Sequence, residues 1–351
     1  MDVFSDFQAQ RDARIERPVV TIGTFDGVHW GHRKVLEELH DHAAMLGGRP
    51  GVLTFRVHPR RVLTGQGPPW LTSLPYRLRL FQQAGIAFTT FIPFSRELSL
   101  LSPREFVQQF LVEQFRVAGV VMGYDSCFGH KGSGTPEMMA AFGREFGFVV
   151  TKVPKVQPAG VPTGGGSLSS SAIREFIAAG RLAEAAGLLG RPVTLLGTVI
   201  HDRGLGRTLG FPTANLAPET VLLPHRGVYA TRVFIGPAVA DAARLAPADG
   251  APFEDAEIPA ALGSFEGPFA AVTNIGVRPT VAGASAVKTL VESHLLDFDR
   301  DLYGRLLAVQ FVAGLRPERK FAGLEALKAQ IGADVAQARA LLAQTPAGPA
   351  I

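Results

Sequence analysis

Apolar and polar positions follow two different rhythms along this chain. In the first half, short apolar runs take turns with longer amphipathic ones. Pro18–Gly23 (PVVTIG), Gly51–Phe55, Ala87–Pro93, Val117–Gly123 (VAGVVMG) and Phe148–Val153 read as strands. Between them, His32–Leu46 sets Val35, Leu36, Leu39, Ala43 and Leu46 on one helical face, and Arg104–Phe115 and Pro136–Phe146 also read as helices. Strand–helix alternation of this kind predicts a parallel sheet with helices on both faces. The rhythm changes near Gly187–Pro192 (GLLGRP). Beyond it, strand-like runs dominate: Val193–His201, Gly227–Ile235, Phe269–Asn274, Thr289–Leu296 and Leu306–Ala313, punctuated by Gly, Pro and Asp. These predict an antiparallel barrel, closed by one helix over about Phe321–Leu342. The stretch 236–268, rich in Ala, Pro, Gly and acids, reads as a surface insertion. The expected organisation is a first domain over 1–188, a second over 189–345 and a disordered tail over 346–351.

Composition narrows the class. The 351 residues, 46% of them apolar, suffice for two cores. Only 19% are charged and mean hydropathy is +0.17, which raises the question of membrane insertion. No apolar run is long enough to span a bilayer, so no membrane association is expected. The first residues (MDVFSDFQAQRDARIE) lack the apolar core of an export signal. Cys127 has no partner for an internal disulfide and no CxxC pair suggests zinc. The cytoplasm is the expected compartment. The net charge of +4 is spread without any Lys/Arg run, which gives nucleic-acid binding little support.

Candidate chemistry in the first half centres on Thr21–His32 (TIGTFDGVHWGH), where a strand gives way to a helix. Glycines there allow the backbone close to a ligand, and the helix N-terminus offers free N–H groups to an anion. His29 and His32, three apart, can both face one phosphate and stabilise charge as pyrophosphate leaves. A polar turn with two exposed histidines, or a zinc pair lacking further ligands, would also account for these residues alone. Downstream, Ser169–Ser171 can cap a helix starting near Ala172, and Arg174 in its first turn can reach phosphate oxygens; a plain serine-capped surface helix is the alternative. Gly129–Thr135 (GHKGSGT) fails as a Walker A motif, because Lys131 is not followed by Ser or Thr at the required place.

GTFDGVHWGH resembles the HxGH signature of the nucleotidyltransferase superfamily, in the form seen in bacterial FAD synthetases. Leu53–Pro59 (LTFRVHP), Met122–Gly134 (MGYDSCFGHKGSG) and Leu168–Pro192 resemble that family's next three motifs, in order. The resemblance implies a Rossmann-like nucleotidyltransferase domain that transfers AMP from ATP to FMN. It implies roles for His29, His32 and Arg174 in adenylyl transfer, for Ser170 and Ser171 in gripping phosphate, and for Gly23, Phe25, Asp26 and Gly27 in shaping the pocket. Ser126 and Cys127 depart from the Phe and Arg usual there, which puts the flavin or adenine pocket in doubt, and Val193 replaces a frequent Tyr.

In the second half, Gly197–Leu216 reads GTVIHDRGLGRTLGFPTANL. The loop Gly204–Gly206 can fold amides around phosphates. Thr213 and Asn215, two apart, share one face if extended and offer hard oxygen ligands suited to Mg²⁺; a hydrogen-bonding Thr/Asn turn fits these residues equally. This run closely resembles riboflavin kinase, and Gly227–Ala230 (GVYA), Asn274–Thr280 (NIGVRPT) and Val291–Gly304 (VESHLLDFDRDLYG) follow in that family's order. The resemblance implies Glu292 as general base, Thr213 and Asn215 as Mg²⁺ ligands, and Gly204, Gly206 and Arg207 near phosphate. A strand glutamate paired with an arginine is the plainer reading of Glu292. Asp202 replaces a usual Gly and Val281 a common Phe.

Taken across nearly the whole chain, the motifs resemble the bifunctional riboflavin kinase/FAD synthetase family. The expectation is that riboflavin and ATP give FMN and ADP, and that FMN and ATP then give FAD and pyrophosphate, both with Mg²⁺. Three alternatives stand beside it: a kinase whose adenylyltransferase half is silent, a non-enzymatic flavin sensor, and, because HxGH resembles their HIGH motif, a first half akin to class I aminoacyl-tRNA synthetases, which the missing KMSKS-like segment and basic surface make remote. Self-association is left open.

Overall fold

A computed structural model describes residues 1–156, 168–201, 206, 209–218, 221–239, 262–278, 288–346 and 351. Contacts divide the chain into two compact units. The described part of the first is Met1–Pro69 and 74–156, and the second holds Trp70–Ser73 and the described residues from 168 onward.

The first unit is a six-stranded sheet in the order β1-β4-β3-β2-β5-β6. Its strands are β1 (Asp2–Phe4), β2 (Pro18–Ile22), β3 (Arg49–Thr54), β4 (Phe88–Phe91), β5 (Gly119–Gly123) and β6 (Val149–Val153). Every pairing is parallel. The central strands are near-continuous apolar runs because both faces are covered. Val19 and Val121 point to one core, shared with Val35, Leu36 and Leu39 of α2 (Trp30–Met45) and Leu74, Leu78 and Phe81 of α4 (Leu74–Gln83). Val20, Val120 and Met122 point to the other, against Met139 of α6 (Pro136–Phe146) and Val107 and Leu111. The expected helix at 104–115 starts as α5 (Pro103–Phe106), with a Ser102/Glu105 capping box, and continues as a π-helical stretch over Val107–Gln114. Two short elements, α1 (Phe7–Asp12) and α3 (Pro59–Thr64), complete the unit.

The strand order places the site. The chain leaves β2 toward β3 and β4 on one side, then returns to β5 on the other. The carboxyl ends of β2 and β5 therefore flank the switch point where open α/β sheets bind ligands.

The second unit is a closed barrel, β10-β11-β8-β7-β12-β9, antiparallel throughout. Its strands are β7 (Val193–Ile200), β8 (Ala214–Pro218), β9 (Gly227–Ala238), β10 (Glu266–Arg278), β11 (Lys288–Leu295) and β12 (Arg305–Pro317). Closure leaves no free sheet edge. Helices α7 (Ser170–Ala178) and α8 (Leu182–Leu189) belong to this unit: Ile173, Phe176, Ile177, Leu182, Leu188 and Leu189 share a core with the barrel interior. The contacts thus divide the chain earlier than residues 188/189. Val193 is buried in that same core.

The last helix, α9 (Leu324–Gln344), covers β9 and β10 with Ala338 and Leu342. It is pinned by Arg316, whose Nε and Nη2 donate to the Asp334 carboxylate at 2.8–3.0 Å, and by Arg232, which donates to the Leu342 and Thr345 carbonyls at the helix C-terminus. The Asp334 side chain is 3% exposed, so its removal strands a largely buried guanidinium. Asp334→Ala is expected to lower stability by about 3 kcal/mol, measured as a shift in the urea midpoint followed by circular dichroism.

Two boundaries differ from the sequence expectation. The ends of the 236–268 stretch are strand, not insertion: β9 runs on to Ala238 and β10 begins at Glu266, because β9 pairs with β12 out to Ala238. Residues 240–261 lie outside the described residues. Of the expected tail 346–351, residues 347–350 lie outside the described residues.

Candidate functional site

In the first unit, the Thr21–His32 loop leaves β2 at the switch point. Its backbone is unusual: Phe25, Gly27 and Val28 all have positive φ, at 49°, 83° and 40°. Phe25 and Val28 carry side chains, so this conformation is disfavoured and must be held by its surroundings. Phe25 supplies one anchor. It is 4% exposed and packs edge-on against Phe81 of α4 at 5.6 Å. Gly23 lies against the same ring.

The loop ends at His29, the N-cap of α2. Its Nδ1 accepts the His32 backbone N–H at 3.3 Å. With Nδ1 accepting that N–H, the neutral ring carries its proton on Nε2. The two imidazoles stack, with centroids 3.7 Å apart and planes 14° apart, and Phe25 lies 5.1 Å from His32. The spacing of three thus becomes a parallel pair at the N-terminus of a 16-residue helix, where backbone N–H groups and the helix dipole favour an anion. Asp26 is buried at 1% exposure.

The sequence motifs did not mark Arg77, which is buried at 1% exposure. Its Nη1 donates to Thr24 O at 2.8 Å and its Nη2 to Phe55 O at 2.9 Å. The signal was present: Leu74, Leu78 and Phe81 define an apolar helical stripe, and Arg77 falls on it.

The Met122–Gly134 stretch follows β5. Ser126 N–H donates to Gly123 O at 3.1 Å and Cys127 is exposed. The aromatic residue there, Phe128, is buried in the core instead. His130 N–H donates to Leu101 O at 2.7 Å, and its Nδ1 lies 2.9 Å from Ser99 O, which pins the glycine-rich turn.

Ser170, Ser171 and Arg174 lie in the first turns of α7, in the second unit, with Ser169 as N-cap through its hydroxyl to the Ala172 N–H.

On the barrel, strand register brings the second set together. Asn215 on β8 is directly opposite Glu292 on β11, and Glu292 is opposite Asn274 on β10. Directly paired residues share a face. Ala214, Leu216, Val291 and Leu295 fill the interior, so Asn215, Glu292 and Asn274 form a polar row on the outer face. His294 is two residues along the same face; its Nδ1 lies 2.8 Å from Pro212 O and its ring packs edge-on to Phe211, which steadies the start of the FPTAN segment. Gly206 approaches from the loop. Phe211 N–H donates to its carbonyl at 2.9 Å, and a Cβ placed on it would meet Phe211 O at 2.5 Å and Thr213 Oγ1 at 2.9 Å. Gly206, Thr213, Asn215 and Glu292 are thus assembled. Gly204, Arg207, Asp202 and Val281 lie outside the described residues.

A divalent cation suits this place. Thr213 and Asn215 offer neutral oxygens of the kind Mg²⁺ accepts beside nucleotide phosphates. Among the described residues, no group of three or more His, Cys, Asp or Glu could hold a metal.

Family models match both halves: one described as FAD synthetase over residues 11–164, and one described as riboflavin kinase over 189–342. The chain is 35% identical over 322 residues to a bifunctional riboflavin kinase/FMN adenylyltransferase of Escherichia coli strain K12, covering 92% of this chain and 91% of the relative. It is 38% identical over 331 residues to the protein of the same description from Pseudomonas fluorescens, covering 93% of each. A solved structure described as a macrolide-efflux protein from Streptococcus pneumoniae superposes with a TM-score of 0.75 at 25% identity, covering 96% of this chain and 98% of that one. The efflux in that description is said of that protein; what it shares here is the fold. Among the described residues, no helix is long and apolar enough to cross a membrane.

Proposed function

Because the chain belongs to the bifunctional riboflavin kinase/FMN adenylyltransferase family, we propose that it makes FMN on the barrel and FAD at the β2–α2 loop, with the residues named above in defined roles. The observation that carries this reading is the pair of assembled sites in separate units: stacked imidazoles at a helix N-terminus beside a sheet switch point, and the Asn215–Glu292–Asn274 row beside Gly206 and Thr213.

In the kinase step, Glu292 takes the proton from the terminal ribityl hydroxyl of riboflavin as that oxygen attacks the γ-phosphorus of ATP, and ADP leaves. Bound Mg²⁺ would neutralise phosphate charge, with Thr213 and Asn215 as its protein ligands. Gly206, and Gly204 and Arg207 with it, would lie along the phosphates. In the adenylyl step, a phosphate oxygen of FMN attacks the α-phosphorus of ATP and pyrophosphate leaves. His29 and His32 donate hydrogen bonds to the charge that builds there. Gly23, Phe25, Asp26 and Gly27 shape the loop, and Ser170, Ser171 and Arg174 grip phosphate. The lone exposed thiol of Cys127 fits a reducing, cytoplasmic setting. A functional boundary at 188/189 and self-association belong to the same reading.

Coproducts test the two assignments separately. Riboflavin with ATP and Mg²⁺ should release ADP, and FMN with ATP and Mg²⁺ should release pyrophosphate. Binding of either flavin without coproduct would leave a sensor in place of the enzyme. A narrower prediction concerns Gly206. The Cβ of Gly206→Ala has no room, so the phosphate loop must move. FMN formation should fall by about 10²-fold, the scale of a 1 Å misplacement, while FAD formation from supplied FMN persists. Unchanged kinase kinetics in that variant would remove Gly206 from the site.

A further inference from the structure

Arg77 is a buried charge that neither set of motifs uses. It sits on the apolar face of α4 beside Leu74, Leu78 and Phe81. Burying a guanidinium is costly unless its donors are satisfied. Two of them, on Nη1 and Nη2, meet backbone carbonyls on different segments: Thr24 O after β2 and Phe55 O after β3. The Thr24 carbonyl also accepts the Thr54 hydroxyl at 3.4 Å, and Gly23 N–H donates to Leu53 O at 3.0 Å, so the two segments are stitched side by side. Burial lowers the Arg77 pKa to about 10, against which the nearby Asp26 carboxylate acts to keep it charged. The segment it holds is the one with two non-glycine residues at positive φ, between Thr24 and the His29 cap.

We propose that Arg77 is a positioning residue for adenylyl transfer: its forked guanidinium clamps the Thr24 and Phe55 carbonyls and so holds the His29–His32 pair in reacting geometry. The proposal rests on the assignment of the β2–α2 loop as the adenylyl-transfer site. Arg77 acts through backbone, and a fork serves this better than a point charge. Lysine keeps the charge facing Asp26 but loses the fixed two-direction geometry.

The test uses the full chain and two rates from each preparation: FAD from FMN, and FMN from riboflavin. Arg77→Met is expected to lower kcat for FAD formation by about 10²-fold, with KM for FMN and ATP within about threefold and kinase kcat within about twofold. Arg77→Lys should fall between, about tenfold down at unchanged KM. In a His29→Asn background, Arg77→Met should add little, because both act on one constellation. Three results overturn the clamp: near-normal kcat in Arg77→Met, losses that multiply in the double variant, or a rise in KM alone. If Arg77→Met does not fold, Arg77→Lys decides, with a lowered kcat upholding the clamp and a full kcat overturning it. His29→Asn separates this proposal from its premise. If that single variant makes FAD at the normal rate, the loop is not the adenylyl site and both fall. If it is slow while Arg77→Met is normal, the clamp alone falls.

Discussion

Glu292→Gln is expected to slow FMN formation by about 10²- to 10⁴-fold, the range in which a positioned general base acts, and to leave FAD formation from supplied FMN intact. The substitution keeps size and hydrogen-bonding capacity but removes the carboxylate proposed to take the proton. Its neighbours in sequence, Val291 and Ser293, are fully buried. They fix the strand, so the loss should lie in kcat, with little change in stability or in KM for riboflavin. Glu292 lies in register between Asn215 and Asn274, on the face opposite the buried Val291 and Ser293. A variant that phosphorylates riboflavin at the normal rate would rule out the base. Loss of both activities in a well-folded variant would contradict the independence of the two sites.

The second large effect is at His29. Its removal should cost FAD formation about 10²- to 10³-fold, the loss seen when one preorganised donor to a developing oxyanion is deleted. Besides its proposed catalytic role, His29 caps α2 through Nδ1. Alanine would remove both and destabilise the helix start by about 1 kcal/mol. Asparagine is a good N-cap and lacks the imidazole Nε2, so His29→Asn isolates the chemistry. The expected result is a low kcat for FAD, a melting temperature close to the parent's, and an unchanged kinase. A His29→Asn protein that makes FAD normally would assign His29 to capping alone. A protein that binds riboflavin but no longer phosphorylates it would show that the sites are coupled.

Much of this architecture can be read from residue patterns. The apolar runs PVVTIG and VAGVVMG mark buried parallel strands because both faces are covered. Long strands such as β9 and β12 were anticipated in place but not in length. Their outer ends carry Gly, Pro and Ala (Gly236–Ala238, Gly314–Pro317), residues that local propensity assigns to loops and that barrel pairing overrides. Helix α4 was missed because Arg77 interrupts its stripe, and the first strand and α1 are too short for a period to emerge. The Val107–Gln114 segment has an apolar face that fits α and π windings alike, so only its backbone hydrogen bonding, such as Phe115 N–H to Phe110 O, distinguishes them.

The site was legible in kind more than in support. Spacing put His29 and His32 on one side of a helix start, but it gave no hint that they stack or that one caps the helix. Alternation put Thr213 with Asn215 and Glu292 with His294. Only register shows that Asn215 and Glu292 are direct neighbours, a long-range fact that no local pattern carries. Arg77 illustrates the remaining gap: its place on an apolar stripe signals burial, but its role lies in two carbonyls far away in sequence, which no local pattern shows.

The central claim is that one chain carries both steps. It is tested most directly by following purified protein with riboflavin, ATP and Mg²⁺ over time and separating the flavins by chromatography. The account predicts that FMN appears first and FAD follows after a lag, at FMN's expense. FMN that accumulates without FAD, even when FMN is supplied directly, would contradict it, as would riboflavin that binds and is never converted.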